Sequence, residues 1–112
     1  MKSLMVVCAV LGLAGAAGAA EPAGAAKLYA KNCQSCHGPD GKGSPKMVQV
    51  LKVKPEDLNL LDAATLKRDD AALAKSVADG IKPKMPAYGK KLSARDIGTL
   101  VAYVRGLAAP GR

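Results

Sequence analysis

Two cysteines and a histidine lie within five consecutive residues, Cys33-Gln34-Ser35-Cys36-His37. Residues three and four positions apart share one face of a helical turn, with Cβ atoms roughly 5–6 Å apart. Cys33 and Cys36 can therefore each reach one vinyl group of a porphyrin, while His37 points its ring at the iron from the same side. C-x-x-C-H is the arrangement that attaches a c-type haem. The sequence predicts one haem c, covalently bound through Cys33 and Cys36.

Two other uses of the cysteine pair fit the sequence less well. A C-x-x-C pair can form a disulfide or a thioredoxin-like redox site, but no βαβ pattern surrounds this one and its flanks look helical. Structural zinc usually takes four ligands. After residue 20 the chain offers only these two cysteines and one histidine as soft ligands, besides methionines.

The opposite side of a haem iron needs a second ligand, or stays open. His37 is the only histidine in the sequence, so the remaining candidates are a thioether, a lysine or water. Met47 lies in a mixed apolar and basic segment, where a methionine usually fills a hydrophobic gap. Met85 stands between Lys84 and Pro86 in a stiff, proline-rich stretch that leaves little conformational freedom to lose. We favour Met85, because a thioether ligand favours ferrous iron and raises the reduction potential.

The first twenty residues have the features of a secretory signal peptide. Lys2 supplies a positive charge, Leu4 to Ala14 form an uncharged apolar run, and small residues follow at 17–20. We expect cleavage after Ala20 or, as the second choice, after Ala19. The apolar run is too short and too rich in Gly and Ala for a membrane span. The sequence thus predicts export to the periplasm without stable membrane insertion.

Residues 21–112 form one small domain in this interpretation. Without Lys2, 16 of the 17 basic side chains and all 9 acidic ones remain, a formal charge of +7. The sequence has no Phe and no Trp, and its aromatic residues are Tyr29, Tyr88 and Tyr103. A chain of this size buries a modest fraction of its surface, so a large covalent cofactor would supply the missing core.

We expect a helix before the motif and a loop after it. Pro22 suits a first helical turn, and the residues up to Asn32 are mostly good helix formers. Ala25 and Tyr29 lie on the face that leads into the motif. The turn-forming residues at 38–45 then end the helix.

The middle of the chain gives weaker signals. Residues 47–53 alternate partly at period two, which makes a short strand conceivable, but we favour a loop packed on the cofactor. Residues 55–58 predict a short helical turn with acids at its start. Asp69 or Asp70 can cap a further helix that runs to about Ala78.

The C-terminal part has the clearest helix signals. Gly80 is placed to stop the preceding helix in the αL conformation, and two prolines within four residues make the loop at 81–89 rigid. Ser93 and Asp96 match a capping box that begins the last helix. The apolar side of that helix comprises Ile97, Leu100, Val101, Val104 and Leu107.

Two sets of residues fit the pattern of a known family. The N-terminal set comprises Gly24, Leu28, Tyr29, Cys33, Cys36, His37, Gly38, Asp40, Gly41 and Gly43, and the C-terminal set comprises Gly80, Met85, Pro86, Leu92, Leu100, Tyr103 and Val104. With these residues the chain resembles a small mono-haem class I c-type cytochrome of bacterial type over most of residues 24–107, and least at 46–66. The resemblance implies an all-α cytochrome c fold, with three to five helices wrapped around one haem.

The resemblance also assigns roles to the site residues. Cys33 and Cys36 would carry the thioethers, His37 would be the proximal iron ligand and Met85 the distal one. A proximal histidine usually donates its other N–H to a backbone carbonyl, and in this family that carbonyl comes from the loop after the motif. We expect Pro45, or alternatively Pro39, to supply it.

A helix crossing is implied as well. The first and last helices would cross, and Tyr29 would pack near Leu100 and Tyr103. Gly24 or Ala25 would be the small residue that lets the two backbones approach.

The predicted function is a soluble one-electron carrier in a bacterial respiratory chain, and not an enzyme. With both axial sites of the iron filled, no substrate would bind. One alternative is a small peroxidase-like haem enzyme, which needs an open iron site. A second is a gas-sensing haem module, in which a labile Met85 ligand gives way to a diatomic gas.

Basic residues fall in loops that border the haem in such a fold; they are Lys42, Lys82, Lys84, Lys90 and Lys91. A basic rim would steer redox partner proteins with acidic docking surfaces. An interpretation of equal weight is that these lysines only form a solvated surface that keeps the protein soluble. Nucleic acid is a poor fit as a partner, because no basic helix or aromatic stacking platform stands out. We expect a monomer, since a carrier changes partners.

Overall fold

The computed structural model describes residues 22–109, which fold into seven helices joined by loops and turns. The helices are α1 (Pro22–Asn32), α2 (Gln34–His37), α3 (Pro45–Leu51), α4 (Pro55–Leu58), α5 (Ala63–Leu66), α6 (Asp70–Asp79) and α7 (Ala94–Leu107). This part of the chain has no β-strand, only an isolated bridge between Ile81 and Met85. The predicted all-α class is confirmed, but the described residues form seven helices rather than the three to five that the resemblance implied. The three longest helices are α1, α6 and α7, and four helices of four to seven residues add to them.

The predicted signal peptide at residues 1–20 lies outside the described residues and stays a prediction. Within 22–109, none of the helices has the length and apolar character that a bilayer crossing requires.

Helices α1 and α7 pack against each other, as the resemblance implied. The rings of Tyr29 and Tyr103 meet at this contact, with centroids 5.1 Å apart and a tilt of 41°. Tyr29 is only 1 % exposed, and Leu100 is buried with it. Ala25 is the buried small residue, whereas Gly24 is exposed. A tilted aromatic pair of this kind adds about 0.5–1.5 kcal/mol beyond the area that it buries.

The predicted capping box starts α7. The Ser93 hydroxyl accepts a hydrogen bond from the Asp96 N–H at 3.0 Å, and the Asp96 carboxylate accepts one from the Ser93 N–H at 3.4 Å. Each bond satisfies an N–H that the helix itself leaves without a partner. The face that follows buries Ile97, Leu100 and Val101, and α6 packs on α7 beside α1.

The loop predicted at residues 47–53 is wrong for its first part, because Pro45–Leu51 is helical. The Ser44 hydroxyl accepts a hydrogen bond from the Met47 N–H at 3.4 Å and caps the helix. Pro45 is its first residue, where a fixed φ suits the helix and the missing N–H costs nothing. Ser44-Pro45 is thus a helix start within a stretch whose composition predicts only turns.

Two of the other helix boundaries agree with the sequence, whereas the four-residue α5 was not predicted. Residues Pro55–Leu58 form the short α4, and Asp69 caps α6 by accepting a hydrogen bond from the Ala72 N–H at 2.7 Å. Gly80 follows α6 with a positive φ of 74°, as expected, but its ψ of 175° lies outside the αL region.

Candidate haem site

A cavity of about 390 Å³ opens at the attachment motif. Cys33, Cys36, His37 and Met85 all line it, so the structure brings the four predicted site residues together. Its volume lies in the range of roughly 300–1,000 Å³ that is usual for ligand and cofactor sites. Most of the remaining lining is aliphatic: Leu51, Val53, Leu58, Leu60, Leu66, Leu73, Val77, Ile81, Leu92, Leu100, Val101 and Val104.

The motif sits at a break between two helices. Helix α1 ends at Asn32, and α2 starts at Gln34 with Cys33 as its cap residue. The His37 N–H donates to the Cys33 carbonyl at 3.0 Å, which keeps the motif in one helical turn. The buried Tyr29 hydroxyl donates to the Gly38 carbonyl at 2.6 Å and fixes the residue that follows the histidine.

Both cysteines are half-buried free thiols. Burial, and to a lesser extent the charge of Cys36, raises the pKa of the Cys33 thiol to about 11. In the haem-free chain Cys33 is therefore held as the neutral thiol.

His37 is buried and points one ring nitrogen at the backbone. Its Nδ1 lies 2.9 Å from the carbonyl oxygen of Leu58. A carbonyl only accepts hydrogen bonds, so Nδ1 carries the proton and Nε2 keeps its lone pair for a metal. Burial lowers the pKa of His37, and the hydrogen bond to Leu58 opposes that shift. The side chain is thus held in the neutral form that binds iron.

The expectation that Pro45 or Pro39 would accept this hydrogen bond is wrong. Leu58 ends α4, and the last carbonyls of a helix have no partner inside it. The loop after the motif pairs with that segment instead, because the Leu60 N–H donates to the Gly41 carbonyl at 2.8 Å. The unpaired carbonyls at the end of the predicted 55–58 turn are the signal that would have pointed to Leu58.

Met85 is half-buried in the loop between α6 and α7. Its N–H donates to the Ile81 carbonyl at 2.9 Å, and the Ile81 N–H donates to the Met85 carbonyl at 3.0 Å. Gly80 packs under this turn, where a Cβ would lie 2.6 Å from the Met85 carbonyl oxygen. Met47 lies on α3 and is absent from the cavity lining.

The basic residues divide into two groups. Lys82 and Lys84 line the cavity, whereas Lys42, Lys90 and Lys91 are exposed and are not part of its lining. The cavity also has polar lining that the sequence analysis missed. Arg68 is one such residue, with Nη2 donating to the Ser76 hydroxyl at 2.7 Å and to the Ala72 carbonyl at 3.0 Å. Tyr88 and Asn32 also line the cavity. Neither residue belongs to a sequence motif that would have pointed to the site.

Comparison with known proteins identifies the family. Residues 20–104 match the family described as cytochrome c oxidase, cbb3-type, subunit III. The cytochrome c6 of Picosynechococcus sp. is 30 % identical over 105 residues, which cover 91 % of this chain and 86 % of that protein. The chain belongs to the small class I c-type cytochromes. The predicted family is confirmed, and with it an electron carrier rather than an enzyme.

Two further relatives differ from each other in length. The cbb3-type cytochrome c oxidase subunit FixP of Azorhizobium caulinodans is 38 % identical over 101 residues, which cover 88 % of this chain and 32 % of that subunit. The cytochrome c6 of Microcystis aeruginosa is 33 % identical over 87 residues, 77 % of this chain and 96 % of that protein. The cytochrome thus spans about a third of the FixP subunit that it matches.

The residues of the cavity fit the haem that this family carries. Two free thiols and a neutral imidazole stand on one helical turn, a thioether lines the same space, and the remaining wall is mostly aliphatic. Thiols can form thioethers with the vinyl groups, and the two soft, neutral ligands suit an iron that changes oxidation state.

Proposed function

We propose that this cytochrome is a one-electron carrier with a single haem c, attached through Cys33 and Cys36 and bound axially by His37 and Met85. The observation that carries the proposal is the shared cavity, since these four side chains come from Cys33 and the α2 helix that it caps and from the loop after α6, and all line one space. A haem so bound supplies one-electron exchange between the ferric and ferrous states.

Residues of this chain would set the ligands, and so the reduction potential, of the iron. His37 presents Nε2 because Leu58 holds its other nitrogen, and Met85 contributes a thioether that favours ferrous iron. With this neutral ligand pair, the mostly aliphatic lining would favour the uncharged ferrous centre over the positively charged ferric one, because a buried charge is costly. With both axial positions filled, neither peroxide chemistry nor gas binding has an open site.

We place the carrier in a bacterial respiratory chain, as an exported, soluble, periplasmic monomer. The similarity to subunits of cbb3-type oxidases supports respiratory electron transfer, and the leader-like residues 1–20 support export. Lys82 and Lys84 at the cavity would attract an acidic docking surface and speed encounter without tight binding.

The test is the near-infrared charge-transfer band that methionine ligation gives to ferric haem. We expect the band in the wild type and its loss in Met85→Leu, which conserves side-chain volume. Met47→Leu is the matched control and should keep the band, because Met47 is outside the cavity lining. A wild type without the band, whose ferrous form binds carbon monoxide readily, would overturn the proposed ligation and favour the peroxidase-like or gas-sensing alternative.

A stationary role is the second candidate, supported by the 38 % identity to an oxidase subunit. In that case the cytochrome would be a fixed haem domain of a membrane oxidase. Size-exclusion chromatography of the native protein from gently solubilised cells separates the two: a free carrier elutes as a monomer, and a fixed domain elutes with oxidase activity.

A further inference from the structure

Tyr88 connects the loop of Met85 to the start of the attachment motif. Its hydroxyl donates a hydrogen bond to the carbonyl of Asn32 at 2.8 Å, across 56 residues of sequence. Asn32 is the last residue of α1 and directly precedes Cys33. Tyr88 comes three residues after Met85. One hydrogen bond therefore joins the two segments that carry the proposed covalent and axial attachments of the haem.

The Asn32 carbonyl is available because the helix breaks at Cys33. In an unbroken helix this carbonyl would accept from the N–H of Cys36, but that N–H donates to the Cys33 carbonyl at 3.3 Å. The Asn32 side chain is fixed at the same place by a hydrogen bond from its amide to the Leu28 carbonyl at 3.0 Å. The interruption of the helix at Cys33 thus leaves the Asn32 carbonyl free to accept the hydrogen bond from Tyr88.

The backbone of Tyr88 is fixed separately on α6. Its N–H donates to the Val77 carbonyl at 3.0 Å, and the next N–H, of Gly89, donates to the Ala78 carbonyl at 2.9 Å. The Tyr88 carbonyl accepts hydrogen bonds from the N–H groups of Lys91 and Leu92 at 3.0 and 2.9 Å. Tyr88 is therefore hydrogen-bonded to α6 through its backbone and to the end of α1 through its side chain.

The segment between Ile81 and Tyr88 is held by hydrogen bonds at both ends. Ile81 and Met85 exchange two backbone hydrogen bonds at its start, and the Tyr88–Asn32 bond holds its far end. The Tyr88 ring also lines the cavity beside Cys33 and Cys36. Burial raises the pKa of Tyr88, so its hydroxyl stays a donor over the neutral range.

We infer that Tyr88 is a positioning residue, whose bond to Asn32 keeps the Met85 sulfur within reach of the iron that Cys33, Cys36 and His37 hold. The inference rests on the proposed ligation by Met85. The Tyr88–Asn32 bond then decides how often the Met85 loop opens and lets another ligand reach the iron. Small ligands bind such a site in proportion to the open fraction.

The test compares imidazole binding to the ferric holoprotein of Tyr88→Phe with that of the wild type. Phe keeps the ring in the cavity wall but removes the donor and leaves the Asn32 carbonyl without its partner. We expect imidazole to displace Met85 with an apparent affinity roughly ten-fold tighter, as loss of one partly buried hydrogen bond predicts. The charge-transfer band should also disappear at lower imidazole concentration.

Tyr103→Phe is the matched control. It removes a hydroxyl from the tyrosine that packs on Tyr29 and lies outside the cavity lining. Its imidazole affinity should equal that of the wild type. A purely structural role for Tyr88 would lower the melting temperature of Tyr88→Phe and leave imidazole affinity at 25 °C unchanged, and that result would overturn the inference.

A second measurement uses the wild type alone and covers the case in which Tyr88→Phe fails to load haem. In the diamagnetic ferrous holoprotein, the Tyr88 hydroxyl proton should give a slowly exchanging NMR signal with cross-relaxation to Cys33. A rapidly exchanging hydroxyl would overturn the inference. If the wild type shows the charge-transfer band and Tyr88→Phe matches its imidazole affinity, only this inference fails; if the band is absent from the wild type, the proposed ligation fails with it.

Discussion

The imidazole Nδ1 of His37 lies 2.9 Å from the carbonyl oxygen of Leu58, which ends a short helix 21 residues further along the chain. This contact fixes the tautomer that leaves Nε2 free for iron. It also makes the backbone at Leu58 part of the site, although Leu58 contributes no polar side chain.

The first prediction tests how Gly43 supports that contact. Its φ is +99°, and a Cβ there would lie 3.2 Å from the Leu58 Cβ and 3.3 Å from the Leu58 carbonyl carbon. Gly43→Ala should lower the free energy of unfolding by about 1–3 kcal/mol, measured by urea titration. It should also move the NMR signal of the His37 Nδ1 proton, because Leu58 must shift.

Gly98→Ala is the control for glycine substitution. Gly98 is exposed within α7, and a Cβ there meets no atom within 4 Å. This variant should raise the free energy of unfolding by about 0.5–1 kcal/mol, since alanine suits a helix interior better. An unchanged His37 signal in Gly43→Ala would contradict the support that we assign to Gly43.

The second prediction concerns Gly80 and the loop of Met85. With φ at +74°, a Cβ on Gly80 would lie 2.6 Å from the Met85 carbonyl oxygen and 2.8 Å from the Ala87 nitrogen. Backbone atoms cannot rotate away as a side chain can, so Gly80→Ala must displace the turn. We expect an intact covalent haem with a weakened or absent methionine-to-iron charge-transfer band. A variant with the band of the wild type would show that the turn tolerates the methyl group.

The third prediction is a dependence of stability on pH through Tyr29. Burial, then the charges of Cys33, Tyr103 and Asp40, raises the pKa of Tyr29 well above its usual value near 10. The folded state thus favours the neutral phenol, which donates to the Gly38 carbonyl. The stabilisation is complete below pH 10 and is lost as the pH rises from there towards the raised pKa.

The comparison of wild type with Tyr29→Phe isolates this effect. Below pH 9 the wild type should be more stable by about 1–3 kcal/mol, because Phe removes the buried hydrogen bond to the Gly38 carbonyl and leaves it only the longer one from the Gly41 N–H, at 3.2 Å. Above pH 10 the difference should shrink, as measured by chemical unfolding at each pH. A difference that stays constant up to pH 11 would contradict the assignment to Tyr29.

The fourth prediction concerns covalent attachment. Haem should stay with the wild-type polypeptide through acid–organic extraction, and the double variant Cys33→Ser/Cys36→Ser should release it. Met85→Leu is the control and should retain haem, since an axial ligand adds no covalent bond to the porphyrin. Extraction of haem from the wild type would overturn the attachment.

The fifth prediction tests the two lysines at the cavity. The double variant Lys82→Glu/Lys84→Glu should slow electron exchange with an acidic redox protein several-fold at low salt, and the difference should shrink at high salt. Lys27→Glu/Lys31→Glu makes the same change in net charge at two exposed lysines of α1 outside the cavity lining, and it should have a smaller effect. Equal effects of both variants, measured by stopped-flow, would show that only net charge matters.

The sequence by itself was sufficient for features that depend on residues within one helical turn. The spacing of Cys33, Cys36 and His37 predicts their common face, and the caps at Asp69 and Ser93 mark helix starts that the structure contains. The proline-rich loop singled out Met85, which does line the cavity with His37. Its binding to iron stays a prediction, as does thioether formation at the two cysteines.

Only the tertiary structure decided how segments distant in sequence meet. The His37–Leu58 and Tyr88–Asn32 hydrogen bonds span 21 and 56 residues. Both acceptors are backbone carbonyls at helix ends. Every residue carries a backbone carbonyl, so the sequence does not distinguish these two from the others. Which donor reaches them depends on how the helices and loops pack, and local propensity holds no information on that. The attachment motif was therefore predictable from the sequence, whereas the backbone contacts that hold it in place were not.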